Sequence, residues 1–306
     1  MFVGHACLAF AVAALGADRL GWSRGRSLQV AALAALFAAL PDVDVVYGLV
    51  GLLGSGTGAG LVPVESFWDA GNRVHRGVTH ALPVAAVVTV AVWLVGRPET
   101  ARRAAGVATL AALVPVVAAV SGGLAGAVTA VFVCCVGGLV VLARRRGASP
   151  RTLASAAFVG LFTHPFGDLL TGEPPALLYP FDPTLVAERV VLSADPTLHL
   201  LGAFGVELAT VWLALAAYFQ VSGKRPTAHV DRRAVLGVAY AGAALALPAP
   251  TLEVSYHFVF SVLAVGFVGV APPSLDRFRT WRAAVTALAA ISLAAVAYAA
   301  VYLVVG

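Results

Sequence analysis

The residues able to do chemistry are few and stand in short strings. His5 lies near the start, and Asp42 and Asp44 follow Pro41. His75 and His80 bracket Arg76, Gly77, Val78 and Thr79, and His164 precedes Asp168 by four residues. An i,i+4 pair shares one helix face, so His164 and Asp168 offer an imidazole and a carboxylate side by side, with Thr171 further along that face. Pro41 has no backbone donor and disfavours helix at the residue before it. The chain is expected to kink or unwind there and let Asp42 and Asp44 point one way. His75 and His80 sit about 140° apart on a continuous helix, and a turn opened at Gly77 would bring both rings inward. Imidazole with carboxylate suits zinc, iron, manganese or nickel, and calcium less readily. The expected cofactor is a divalent metal ion, zinc or manganese. Bound metal lowers the pKa of water toward about 7 and supplies a hydroxide nucleophile. The seven candidate ligands exceed one tetrahedral site, which leaves a two-metal centre or one metal with an outer shell.

Such residues need a scaffold, and composition says which kind. Of the 306 residues 60% are hydrophobic and 11% charged, and mean hydropathy is +0.91. A soluble domain has roughly 45–50% apolar and about 25% charged residues. Disorder, a secreted disulfide scaffold and an ordinary soluble enzyme are excluded. So is a nucleic-acid binder, despite the net charge of +5, because so sparse a set of charges cannot track a phosphate backbone. The fold class is all-α, a polytopic transmembrane helical bundle of about ten segments. These are 2–17, 28–50, 79–96, 104–120, 124–143, 152–171, 198–220, 233–249, 254–271 and 282–305, each judged against the roughly 20 apolar residues a bilayer core requires.

Basic residues orient the bundle. Arg19, Arg24 and Arg26 follow the first segment, Arg97, Arg102 and Arg103 the third, and Arg144, Arg145, Arg146 and Arg151 the fifth. Lys224, Arg225, Arg232 and Arg233 follow the seventh, and Arg277, Arg279 and Arg282 the ninth. Of the 20 basic residues, Arg73, Arg76 and Arg189 alone lie elsewhere. Connections after odd segments are expected in the cytoplasm and both termini outside. At 1.5 Å per residue, Asp42, Asp44, His164 and Asp168 then lie about 18–24 Å from the inner edge. His5, His75 and His80 stand near the outer edge. The seven residues share one layer, the outer third of a multi-pass cell-membrane protein, facing the non-cytoplasmic side. A charged side chain in a membrane helix costs on the order of 3 kcal/mol, and metal coordination would offset it.

Other polar features carry less. Cys7, Cys134 and Cys135 sit in apolar runs and form neither a disulfide framework nor a metal knuckle. Gly54 to Gly60 is glycine-rich, lacks the Gly-Lys-Ser/Thr ending of a phosphate loop, and reads as a mobile connection. His199 and His257 read as interfacial, His229 as part of a cytoplasmic loop, and Glu207 as a structural hydrogen-bonding group.

Taken together, Gly4-His5, Pro41-Asp42-Val43-Asp44, the string from His75 to His80, the string from His164 to Thr171, and Leu178-Tyr179-Pro180-Phe181 resemble the YdjM-like family of integral-membrane metal-dependent hydrolases. The resemblance covers residues 1–181, and Pro165-Phe166-Gly167 departs from the usual apolar filling. It implies a hydrolase core over 1–181 with additional transmembrane helices over 182–306. It carries over His5, Asp42, Asp44, His75, His80, His164 and Asp168 as metal ligands. Arg76 is a candidate catalytic residue that could hold an anionic group such as phosphate, or else pair with Asp42, Asp44 or Asp69. Thr79 is the second, orienting a ligand from behind.

The expected function is hydrolysis of a lipid-linked or amphiphilic ester or phosphoester at the outer membrane face, with the bilayer as partner. The alternatives are an ion-binding transporter and a non-catalytic metal-stabilised membrane protein. Transporters commonly carry internal repeats and a site at the midplane, and neither is evident here.

Overall fold

The computed structural model describes residues 2–54, 66–67, 69–71, 75–170, 174–181, 185–224, 230–252, 254–270 and 277–305. Most of the glycine-rich connection, Thr171 and His229 lie outside them. The described chain is all-helical, with no strand. It divides into two compact units, Met1–Arg189 and Val190–Gly306.

The first unit holds α1 (Phe2–Arg19), α2 (Arg24–Ala39), α3 (Gly48–Gly54), α4 (Leu82–Gly96), α5 (Thr100–Ser121), α6 (Gly123–Arg145) and α7 (Pro150–Asp168). Two 3-10 segments interrupt them, Pro41–Tyr47 and Val78–His80. Each break has a local cause. Leu40 precedes proline, so α2 stops at Ala39. The helix α7 starts at a Ser149 cap, whose hydroxyl accepts from Thr152 N–H, with Pro150 in the first turn.

At the centre of this unit α7 packs against α1, α2 and α4. Small residues set the distance. A Cβ on Gly160 would lie 2.5 Å from the Ala34 carbonyl oxygen and 2.7 Å from Phe37 Cβ. The backbones of α2 and α7 are therefore in direct contact, the close approach that small residues permit between membrane helices.

The second unit holds α8 (Pro196–Ser222), α9 (Ala243–Ala246), α10 (Tyr256–Ala264) and α11 (Arg277–Val305). Here the structure departs from the expected uniform helices. Residues 233–249 are a 3-10 helix, Arg232–Gly242, followed by the short α9, and 254–271 are α10 followed by the 3-10 helix Val265–Gly269. Close packing on α11 accompanies this. A Cβ on Gly237 would lie 2.2 Å from the Ala290 carbonyl oxygen, and one on Gly269 would lie 2.4 Å from that of Ala283. A 3-10 helix rises about 2.0 Å per residue against 1.5 Å for an α-helix, so such segments reach further per residue than their length suggests. His199 is buried, and its Nδ1 accepts from Leu192 N–H at 3.2 Å.

Among the described residues, five helical stretches are long and apolar enough to cross a membrane: Arg24–Leu53, Thr100–Ser121, Gly123–Arg145, Pro196–Ser222 and Trp281–Val305. Leu82–Gly96 and Tyr256–Gly269 are shorter apolar helices.

Candidate metal centre

The polar strings meet inside the first unit. Asp42 and Asp44 come from the 3-10 helix after Pro41, and His80 ends the 3-10 turn before α4. His164 and Asp168 occupy the last turn of α7, and His5 the first turn of α1. His5, Asp44, Thr79, His80, His164 and Asp168 are all buried. The chain turns at Arg76, whose φ is +65°, and the rings of His75 and His80 lie 5.1 Å apart. Asp42 and Asp44 reach the two nitrogens of one ring, His80 Nε2 lying 3.7 Å from Asp42 Oδ1 and His80 Nδ1 3.6 Å from Asp44 Oδ2.

Four atoms form its middle. His80 Nε2 lies 3.7 Å from Asp42 Oδ1 and 3.3 Å from Asp168 Oδ2. His164 Nε2 lies 3.6 Å from Asp42 Oδ1 and 3.7 Å from Asp168 Oδ2. Bonds of about 2.0–2.2 Å to a tetrahedral ion place ligand atoms about 3.3–3.6 Å apart. Hydrogen-bonded nitrogen and oxygen stand about 2.7–3.2 Å apart. His80 Nε2, His164 Nε2 and Asp168 Oδ2 are buried and make no hydrogen bond.

The far side of each ring is held. His164 Nδ1 lies 2.6 Å from the Ala38 carbonyl oxygen. A carbonyl only accepts, so Nδ1 carries the proton and Nε2 presents its lone pair. Thr79 Oγ1 donates to Asp44 Oδ2 at 3.0 Å and lies 2.9 Å from His80 Nδ1. With its one hydrogen committed to the carboxylate, the hydroxyl accepts from His80 Nδ1–H, which leaves His80 Nε2 facing Asp42 and Asp168. Thr79 thus acts on His80 from behind.

Around this middle, His5 Nε2 lies 3.2 Å from Asp168 Oδ1, and an Arg76 terminal nitrogen lies 3.8 Å from the same oxygen. Arg76 thus lies beside Asp168, and Asp69 is exposed. The His5 and His164 rings lie 4.1 Å apart. His75 Nδ1 lies 2.8 Å from Asp44 Oδ1, a proton-sharing distance within the same cluster. Three groups offer ligand atoms within 4.8 Å of one another: His5, His164 and Asp168; Asp42, His80 and His164; and Asp44, His75 and His80. They share His164 and His80. Buried orphan nitrogens and oxygen, and a donor set of imidazole and carboxylate, fit a divalent metal ion.

The model of the YdjM inner membrane protein family matches residues 1–246. The chain belongs to this family. No curated protein and no solved structure matches it. The match runs beyond residue 181, where the motif strings end, so YdjM membership takes in α8 and most of residues 233–249. With its apolar helices, it makes this chain a multi-pass membrane protein in contact with the bilayer.

Two contributors were invisible to sequence reasoning. The Ala38 carbonyl that fixes His164 is a backbone group with no residue-type signature. Gly167 stands inside the string from His164 to Asp168, yet only the structure says why. A Cβ there would lie 2.5 Å from His5 Cε1.

Proposed function

We propose that this protein is a membrane-embedded metal-dependent hydrolase acting on a lipid-linked or amphiphilic ester or phosphoester. In this reading the chain crosses the membrane about ten times, and its centre faces the non-cytoplasmic side. The observation that carries the reading is the set of four ligand atoms at 3.3–3.7 Å, three of them buried without hydrogen bonds. A zinc or manganese ion held there supplies Lewis acidity and a water of lowered pKa.

The chain's own residues then divide the work. Asp42, His80, His164 and Asp168 hold the ion, and His5 and Arg76 steady Asp168 from its other oxygen. Thr79 and the Ala38 carbonyl fix the tautomers of His80 and His164. Asp44 orients His75, whose ring exchanges a proton with water or leaving group as a general base and acid. Arg76 offers its guanidinium to an anionic group of the substrate. Substrate chains reach a centre built at the ends of membrane helices without leaving the bilayer.

Detergent-purified protein should contain stoichiometric zinc or manganese. Chelation should abolish hydrolysis of lipid phosphoesters, and added metal should restore it. Asp168→Ala should purify folded, without tightly bound metal. Absence of metal, together with ion flux in liposomes lost on Asp168→Ala, would refute the hydrolase and establish the transporter.

A further inference from the structure

Thr79 faces two ways. Its hydroxyl holds Asp44 and His80, and the residue also lines a cavity of about 270 Å³. Ser121 at the end of α5, Leu124, Ala125 and Val128 of α6, and Tyr179 form the rest of its working surface. Leu124, Ala125 and Val128 are spaced i, i+1, i+4 and so present one apolar face. The hydroxyls of Ser121 and Tyr179, both in its lining, hydrogen-bond to each other. None of the described lining residues is charged.

These features select an occupant. At about 30 Å³ for a water-sized group, the cavity takes on the order of ten heavy atoms, enough for one chain end and not for two chains. With no cation in its wall, it does not hold a phosphate. The Arg76 guanidinium lies beside Asp168 and is not among the described residues of the wall. The Ser121–Tyr179 pair can donate to an uncharged oxygen, and the α6 face covers methylenes. Helix α6 is itself long and apolar enough to cross a membrane. Leu124 and Val131 are exposed on it, so the wall of the cavity is continuous with a lipid-facing helix.

We infer that this cavity receives the first carbons of a single hydrocarbon chain of a membrane lipid. The Ser121 and Tyr179 hydroxyls bind the oxygen that links that chain to the group being cleaved. This rests on the hydrolase reading for the fate of the substrate and on the cavity alone for its binding.

The test uses the full-length, metal-loaded protein in detergent and a decyl phosphate carrying a diazirine within its first four carbons. Photolabelling should map to residues 121–128, and excess decyl phosphate should compete at least tenfold better than a two-chain phosphatidic acid. Ala125→Phe fills the cavity and should cut labelling at least tenfold with bound metal unchanged. Should that variant lose metal through misfolding, Ser121→Ala with Tyr179→Phe decides the matter, with an expected several-fold loss of labelling at full metal content. Labelling elsewhere, or labelling indifferent to these variants, overturns the inference and leaves the metal centre standing. Labelling at 121–128 in a protein that binds no metal upholds the cavity and removes the hydrolase.

Discussion

Replacing Gly167 with alanine tests the metal centre without touching a ligand. The new Cβ would lie 2.5 Å from His5 Cε1 and 2.6 Å from His5 Nδ1. Ordinary contact begins near 3.4 Å, so the ring must retreat by about 1 Å, a misplacement that functional sites do not absorb. Helix α7 cannot move instead. Two turns earlier, Gly160 holds it against the Ala34 carbonyl of α2. Retreat of the ring breaks the 3.2 Å contact between His5 Nε2 and Asp168 Oδ1. Losing a partner that orients a ligand lowers metal affinity about 10–100-fold, equivalent to about 1.4–2.8 kcal/mol. Zinc affinity is measured by competition with a chromophoric chelator in detergent. Gly137→Ala is the control, since nothing lies within 4 Å of a Cβ there. A Gly167→Ala protein binding zinc within twofold of the parent, with the same thermal midpoint, would refute the reasoning.

Thr79→Val removes the hydroxyl that links Asp44 to His80 and should weaken metal binding by a similar 10–100-fold, whereas Thr79→Ser should stay within about threefold. A valine variant with unaltered affinity would deny Thr79 its role. Orientation is checked by cysteines at Leu185 and Gly147 in a background lacking Cys7, Cys134 and Cys135. An impermeant thiol reagent applied to intact cells should label position 185 and spare 147, and the reverse pattern would place the centre at the cytoplasmic side.

What the sequence made legible follows from periodicity and from proline and glycine. His164 and Asp168 could be paired because four residues make nearly one helical turn, and the break at Pro41 because proline removes a donor. The union of His75 with His80 was legible once Gly77 was read as a turn, although the turn itself uses the positive φ of Arg76. That Asp42 and Asp44 would reach the two nitrogens of one His80 ring was not legible. Apolar composition does not distinguish α from 3-10 helix, and the side-chain direction depends on which forms. The same ambiguity hid the 3-10 helices over 232–242 and 265–269. The cavity beside Thr79 was equally hidden. Ser121-Gly122-Gly123 marked only where one segment gives way to the next, and nothing local ties Ser121 to Tyr179 across 58 residues.

The distances in the centre bear on what holds it together. An Asp in a membrane helix costs on the order of 2.5–3.5 kcal/mol, so three of them cost about as much as the whole stability of many domains. Asp44 is relieved by Thr79 and His75, and one oxygen of Asp168 by His5. The other oxygen of Asp168 and the nearer oxygen of Asp42 face His80 Nε2 and His164 Nε2. Both of those rings spend their proton on the opposite side, at Thr79 and at Ala38. Two ring nitrogens and two carboxylate oxygens therefore face one another, and a positive charge belongs between them, carried by a metal ion or by a second ring proton. A second proton on either ring would draw the partners to about 2.7–2.9 Å, the length of a charge-assisted bond. They stand at 3.3–3.7 Å, the spacing of ligand atoms around a metal ion of about 2 Å bond length. The contrast with His75 and Asp44 at 2.8 Å lies within one cluster, and it singles out the middle of that cluster as the part whose spacing fits a metal ion.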